Sequence, residues 1–173
     1  MMNRRGLMLA AFSGSLTGCA SLAAPKRYEE TPEDDLAILN GALALEYRAV
    51  SSYRLAAASG LLRKTLQAPL TRFGEDHARH AEGLRRWIAQ RAGEPVTPPN
   101  ATHEFEPRDE AQLLRYLAAA EQGMADTYFG AVAVFADRDL ARNAASILGI
   151  ETAHWALLRE ALALEPVPAP FIR

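Results

Sequence analysis

The stretch that decides the fold is residues 140–158, LARNAASILGIETAHWALL. Its apolar residues recur every three or four positions from Leu140 to Leu158, which is the period of one face of an α-helix. Glu151 and His154 fall on that same face and are spaced so that both side chains point to one side. The face that this helix should bury therefore carries two ionisable groups.

Three other segments show the same period, and ionisable residues interrupt each of them at a similar depth. We therefore predict four amphipathic helices whose apolar seams face a common core. The other three seams are Leu36, Leu39, Leu43, Glu46, Val50 and Tyr53; Leu70, Phe73, His77, His80, Leu84 and Trp87; and Leu114, Leu117, Glu121, Met124, Tyr128, Ala131 and Phe135.

Capping residues, glycines and prolines indicate where these helices end. Thr31 is a strong N-cap before a proline and two acids, and Gly60 suits the left-handed residue after a helix. Pro69 favours a helix start nearby, and the four prolines of residues 93–107 predict a loop across the outside of the domain. We expect helices at about 31–59, 68–92, 109–136 and 139–164.

The N-terminal residues have the pattern of an export signal peptide. Arg4 and Arg5 precede a short apolar run that is well below the ~20 residues of a membrane span. Residues 16–19, LTGC, resemble a bacterial lipobox with Cys19 at the lipidation position, and residues 3–8 resemble a twin-arginine signal. We expect a periplasmic protein that is lipid-anchored at Cys19 or, after cleavage near residue 24, soluble.

Composition limits the classes of function. A chain of 173 residues with 49% apolar residues suits one folded domain, and its formal net charge of −2 gives no reason to expect a nucleic-acid partner. The one Cys excludes a disulfide framework and any Cys-based metal site. The expected organisation is an export signal (1–24), a linker (25–30), a helical bundle (31–165) and a proline-rich tail (166–173), with membrane contact through the lipid alone.

The ionisable seam residues predict a metal site. A buried carboxylate or imidazolium without a partner costs several kcal/mol, and a bound cation would compensate several such groups together. A bundle with one Glu from each of two helices and a Glu-x-x-His pair from each of the others is the known pattern for two iron or manganese ions. The candidate ligands are Glu46, His77, His80, Glu121, Glu151 and His154.

An internal repeat relates the first two helices to the last two. A shift of 74 or 75 residues superposes polar positions as well as apolar ones, so two copies of one helical hairpin are expected. The polar matches are Glu46 with Glu121, Tyr53 with Tyr128, His77 with Glu151, and His80 with His154.

With these motifs, residues 33–164 resemble the ferritin-like superfamily, in particular its rubrerythrin-like and exported members. The resemblance implies an all-α, antiparallel ferritin-like four-helix bundle with a long crossover between helices two and three. It also implies that Tyr53 and Tyr128 lie beside the metal site and hydrogen-bond to ligand carboxylates. Rubredoxin-like Cys pairs are absent, so the electron route of complete rubrerythrins is not expected.

One residue departs from the family pattern, which would place Glu at position 77. With His77, three carboxylates face two divalent ions, which leaves a diferrous site at a net charge of +1. His77 is then a ligand, a hydrogen-bonding neighbour of the ligands, a sign of a site for one metal, or part of a relic site. Asp76, four residues before His80, could support that ligand.

We expect a dinuclear metal cofactor, with iron favoured and Mn, Cu or Zn as alternatives. The implied activity is oxidation of ferrous iron, or chemistry on oxygen or peroxide, at the cell envelope. The alternative is a non-catalytic metal-binding or stress-protection module with a degenerate site. The expected partners are metal ions and a second copy of the chain in a homodimer.

Overall fold

A computed structural model describes residues 31–98 and 105–170 and shows four α-helices there, without β-strands. None of these helices has the length and apolar character needed to cross a membrane. The predicted all-α, four-helix class is confirmed, whereas the predictions for the export signal, Cys19 and the linker lie outside the described residues. The helices are α1 (Pro32–Ala58), α2 (Lys64–Gln90), α3 (Glu110–Val134) and α4 (Arg138–Ala161).

Contacts at the helix ends define the topology. The backbone N–H of Arg63, at the start of α2, donates to Glu110 Oε2 at the start of α3 over 2.6 Å. Arg91, after the end of α2, pairs with Asp137, which follows α3. Helices α2 and α3 therefore run in the same direction, so the chain between them must return along the bundle, as predicted for a long crossover.

The crossover is held at both of its described ends. Asn40 of α1 donates to the carbonyl of Glu94 at 3.2 Å and accepts from the N–H of Val96 at 2.8 Å. Near the start of α3, the ring of Phe105 stacks on Tyr116, with their centroids 4.5 Å apart. These contacts hold the two described ends of the crossover against α1 and α3.

The predicted first helix is confirmed at both ends. Thr31 and Asp34 form a capping box, in which each side chain accepts from the other residue's backbone N–H. Gly60 has φ of 70°, a backbone conformation that glycine adopts without a steric penalty.

Other predicted ends were wrong by a few residues. Helix α2 begins at Lys64 rather than near residue 68, so Pro69 is its sixth residue rather than a marker of its start. Helix α4 ends at Ala161 rather than 164, since Ala163 has φ of 57° and the N–H of Leu164 turns back to Arg159. Helix α3 ends at Val134 rather than 136.

The core has two apolar clusters, and the ionisable residues lie where they meet. One cluster fills the end of the bundle that holds the α3–α4 turn, and the other fills the end that holds the α1–α2 turn. The first includes Leu39, Leu43, Leu84, Ile88 and Leu140. The second includes Leu70, Phe73, Leu113, Leu117 and Leu158.

A buried carboxylate ties α1 to the α3–α4 turn. The side chain of Asp35 is only 2% exposed, and it accepts from the backbone N–H groups of Ala136 at 2.8 Å and Asp137 at 3.0 Å. These donors belong to the turn between helices, where no helical carbonyl can satisfy them. Asp35 therefore sets the position of α1 relative to the second hairpin.

We predict that Asp35→Ala lowers the free energy of unfolding by about 2 kcal/mol, because two turn N–H groups lose their acceptor. The melting temperature measured by circular dichroism should fall by about 4–8 °C. Glu82→Ala, which removes an exposed carboxylate paired with exposed Arg85, is the control and should shift it by less than about 2 °C. Equal shifts for the two variants would contradict the role given to Asp35.

Candidate metal centre

The structure brings all six predicted ligands together in the middle of the bundle. Five of them are at most 4% exposed, and the side chain of His80 is 14% exposed. They contribute two overlapping groups whose ligand atoms lie within 4.8 Å of one another. The first cluster is Glu46, His77, His80 and Glu151, and the second cluster is His77, Glu121, Glu151 and His154.

His77 links the carboxylates of α1 and α3. Its Nδ1 lies 2.9 Å from Glu46 Oε2 and its Nε2 lies 3.0 Å from Glu121 Oε1. With a proton on each nitrogen, the ring donates to both carboxylates. This arrangement joins the two helices through the centre of the core.

Two tyrosines hold the same carboxylates from the other side. The hydroxyl of Tyr53 on α1 donates to Glu121 on α3, and the hydroxyl of Tyr128 on α3 donates to Glu46 on α1 at 2.6 Å. Each tyrosine therefore hydrogen-bonds to the glutamate of the other hairpin. With His77 and the tyrosines as partners, Glu121 Oε2 is the one oxygen of these two carboxylates that has no hydrogen bond.

Close packing positions Tyr53. A Cβ added to Gly74 of α2 would lie 3.0 Å from the Cβ of Tyr53, so a larger residue there would force the two helices apart by a few tenths of an ångström. The Tyr53 ring also stacks on the ring of His77, with their centroids 5.2 Å apart. The tyrosine thus orients both a carboxylate and an imidazole.

Glu151 lies between the other groups with its lone pairs free. Its Oε1 is 3.0 Å from His80 Nδ1, but the pair lacks hydrogen-bond geometry. His154 Nδ1 lies 3.6 Å from Glu121 Oε2. Among the described residues, five buried side-chain atoms have no hydrogen-bond partner: His80 Nδ1, Glu121 Oε2, both oxygens of Glu151, and His154 Nδ1. All five are imidazole nitrogens or carboxylate oxygens, the kinds of atom that commonly bind metal ions in proteins.

Asp76 lies beside His154 rather than beside His80, where its spacing had suggested a supporting role. Its Oδ2 is 3.7 Å from His154 Nε2, and Arg79 donates to its Oδ1 at 2.8 Å. His80 instead turns its Nδ1 inward to Glu151. No spacing in the sequence relates residue 76 to residue 154, so only the packing of α2 against α4 reveals this pair.

Neighbouring carboxylates raise the pKa values of two imidazoles, those of His77 and His80. Burial lowers the pKa of His77, but hydrogen bonds to Glu121 and Glu46 together outweigh it and raise this pKa to about 10. Burial likewise opposes the effect of Glu151 and Glu46 on His80, whose pKa rises to about 9. Protons on these rings therefore compensate the carboxylates when no metal is bound.

The three carboxyl groups respond in different ways. Burial favours their neutral forms, but the nearby imidazoles lower the pKa of Glu46 and of Glu121 below the usual value. For Glu151, burial dominates, and the Glu121 and Glu46 carboxylates add to it, so its pKa rises to about 8. Glu151 is therefore the carboxyl group that carries a proton near neutral pH.

A sequence model of the ferritin-like domain matches residues 34–164. The chain belongs to the ferritin-like domain family. The ferritin-like chain is similar to a ferritin-like, diiron-carboxylate protein from Bacillus anthracis, with 25% identity and a TM-score of 0.68 over 75% of this chain and 96% of that one. Its fold is also similar to that of a conserved hypothetical protein from Mycobacterium tuberculosis, with 18% identity and a TM-score of 0.67 over 79% of this chain and 96% of that one. None of the curated proteins compared with it matches.

The donor set of this ferritin-like chain fits transition-metal ions. Carboxylate oxygens and imidazole nitrogens are ligands that iron, manganese, copper and zinc accept. The unpartnered atoms belong to both clusters, and Glu151, whose two oxygens are both unpartnered, is a member of each. These residues could hold a dinuclear metal centre.

We predict that the metal-free protein loses stability as the pH rises from about 6.5 to 10. The raised pKa values of His77 and His80 stabilise the fold fully below 6.5, and this stabilisation disappears as the pH passes their folded values of about 9 and 10. The raised pKa of Glu151 acts in the same direction up to about pH 8. After treatment with a chelator, the melting temperature should fall by about 5 °C or more across this range.

His77→Gln is the matched variant because it cannot lose a proton in this range. Its melting temperature, measured by calorimetry at the same pH values, should depend less on pH than that of the unmodified protein. A melting temperature of the unmodified protein that stays constant between pH 7 and 9.5 would show that the buried imidazoles are neutral in the folded protein, because they are neutral in the unfolded chain at these pH values as well.

Proposed function

We propose that this protein binds two metal ions, with iron as the physiological metal, and oxidises ferrous iron with oxygen or peroxide at the cell envelope. The observation that carries the proposal is the set of five unpartnered ligand atoms around Glu151, which belongs to both clusters. The similarity to a diiron-carboxylate protein of Bacillus anthracis supports iron as the metal.

The unpartnered atoms argue for a bound ion on energetic grounds. A buried polar atom without a partner costs about 1–3 kcal/mol, and native proteins contain few of them. Here the partnerless atoms lie close together rather than being scattered. Metal ligation would satisfy the whole set at once.

Each cluster offers ligands of the same kind to one ion. The first would bind its ion through His80 and Glu46, the second through His154 and Glu121, and Glu151 would reach both. Two ferrous ions supply the two electrons that reduce hydrogen peroxide to two waters, with two protons taken up. The apolar clusters on either side limit the access of bulk water to this chemistry.

The tyrosines and the exposed edge of the site have separate roles in this proposal. Tyr53 and Tyr128 orient Glu121 and Glu46, so that the carboxylates do not rotate when an ion enters. His80 is the ligand with the greatest exposure, 14% of its side chain. Small reactants and metal ions would therefore reach the site beside His80.

A non-catalytic role is the second candidate, and the hydrogen bonds of His77 favour it. The ring hydrogen-bonds to Glu46 and Glu121 at the same time and so joins α1 to α3. A bundle stabilised in this way could serve as a metal-binding or structural module. The two functions differ in whether bound iron turns over.

We predict that the purified protein binds about two iron ions per chain and oxidises Fe²⁺, followed as ferric absorbance after the addition of peroxide. Glu151→Gln, which preserves the shape of the side chain, should weaken iron binding at least tenfold, since both clusters lose the shared carboxylate. Glu82→Gln, on the exposed side of α2, is the control and should bind and oxidise iron as the unmodified protein does.

Iron binding at full stoichiometry without oxidation would favour the non-catalytic role. Fewer than about 0.2 metal ions per chain, by mass spectrometry of protein loaded with Fe²⁺ without oxygen, would exclude both the dinuclear site and the oxidation. Retention of two irons by Glu151→Gln would show that the ligand set is wrong.

We also propose that the chain is exported and anchored by a lipid on Cys19. The support is the sequence of residues 4–19: two arginines, a short apolar run and the LTGC motif. The expected result is that the unmodified protein sediments with the membrane fraction, while Cys19→Ser appears in the soluble periplasmic fraction. Recovery of both forms from the cytoplasm would exclude export.

A further inference from the structure

His77 takes part in both clusters, and it presents a different ring nitrogen to each. Its Nδ1 faces the first cluster, 2.9 Å from Glu46 Oε2, and its Nε2 faces the second, 3.0 Å from Glu121 Oε1. The two nitrogens of an imidazole point in diverging directions. One ring therefore spans the gap between the two groups of ligands.

The surroundings hold the His77 ring in this orientation. The ring is fully buried and stacks on Tyr53 at an angle of 25°. His80 lies at 6.0 Å in the first cluster and His154 at 5.4 Å in the second, both centroid to centroid and at steep angles. A tilt of the ring that moved either nitrogen away from its cluster would break this stacking.

We propose that His77 is a bridging ligand whose two ring nitrogens bind two different metal ions. The inference rests on the proposed dinuclear site and defines how the two ions are connected. Two nitrogen–metal bonds form, and both N–H protons of the ring leave to solvent. The ring then bridges the ions as an imidazolate, with a charge of −1.

Charge supports a bridging imidazolate. Two divalent ions carry +4, and the carboxylates of Glu46, Glu121 and Glu151 carry −3, so a neutral His77 would leave +1 in a buried site. An imidazolate at His77 brings the sum to zero, which is the charge of a site with four carboxylates. Neutrality matters here because an uncompensated charge in the core has lost its hydration.

The distances between the ligand atoms are close to those that a shared ion would require. A metal at about 2.0–2.1 Å from an imidazole nitrogen and a carboxylate oxygen holds the two ligand atoms roughly 3.0–3.4 Å apart. His77 lies 2.9 Å and 3.0 Å from Glu46 and Glu121, and His80 Nδ1 lies 3.4 Å from Glu46 Oε1. Ions can enter with small movements of these side chains.

A bridging imidazolate at His77 also predicts which metals bind as a pair. Copper, zinc and iron accept imidazole readily, whereas manganese prefers oxygen ligands. A histidine at this position should therefore disfavour a pair of Mn²⁺ ions. His77→Glu restores a carboxylate there and should raise the affinity for Mn²⁺ relative to Zn²⁺ at least tenfold.

The test is a titration of the metal-free protein with Cu²⁺, followed by electron paramagnetic resonance and by metal content. The first equivalent should produce the signal of an isolated Cu²⁺ ion. The second equivalent should bind while that signal decreases, because an imidazolate couples the spins of the two ions. A signal that instead grows in proportion through two bound equivalents would overturn the bridge and leave the dinuclear site standing.

Two variants separate bridging from ordinary ligation. His77→Gln should abolish the coupling and weaken the binding of the second ion at least tenfold. His80→Gln, the matched control, removes a ligand from the first cluster only and should leave one ion bound with unchanged affinity. If His77→Gln keeps both ions and their coupling, His77 is not the bridge.

The remaining outcomes are also decisive. If the unmodified protein retains neither Cu²⁺ nor Fe²⁺, the proposed function fails and the bridge fails with it. A single tightly bound ion per chain overturns the bridge and the dinuclear site together. If His77→Gln does not fold, the titration of the unmodified protein still decides between coupled and independent ions.

Discussion

The structure depends on the mutual compensation of carboxylates and imidazoles in the middle of the bundle. Three glutamates and three histidines lie in a layer where water is almost completely excluded. Isolated charges there would oppose folding, because each loses its hydration. The helices can bury this layer only in a register that brings the carboxylates and imidazoles within about a hydrogen bond of one another, so its chemistry constrains the packing of all four helices.

The contacts at the ends of the bundle help to hold the helices in that register. Asp35 holds the α3–α4 turn against α1, while the Arg63–Glu110 pair joins the starts of α2 and α3. Between these ends, the tyrosines cross from one hairpin to the other. The two hairpins are therefore joined by polar contacts at both ends and at the centre, and the apolar clusters fill the space between these levels.

The sequence was sufficient to predict the four helices and to predict that the six ionisable residues lie at one level of the bundle. Glu46 and Glu121 interrupt apolar seams, and a polar repeat can be seen without a structure. The partner of each tyrosine was not predictable, because Tyr53 reaches across to Glu121 rather than along its own helix. Contacts of this kind depend on the packing of distant helices, as does the contact of Asp76 with His154.

Helix ends were less predictable, and the reason is local. Gly60 has a left-handed backbone, as glycine at that position suggests, but Ala92 and Ala163 adopt the same conformation without such a signal. In both cases a hydrogen bond back to the preceding turn forms, from Gly93 to Ile88 and from Leu164 to Arg159. Packing and backbone bonding there outweigh the preference of alanine for right-handed conformations.

The repeat gives the central layer an asymmetry that bears on its chemistry. Equivalent positions of the two hairpins hold His77 and Glu151, and these two residues differ in their hydrogen bonding. Both nitrogens of His77 are hydrogen-bonded, whereas neither oxygen of Glu151 has such a partner. A proton-bearing ring thus connects the carboxylates of the metal-free protein on one side, and an open carboxyl group faces it from the other. An entering ion would meet unpartnered ligand atoms on α4, and its binding would displace the proton of Glu151 as well as those of His77 on α2.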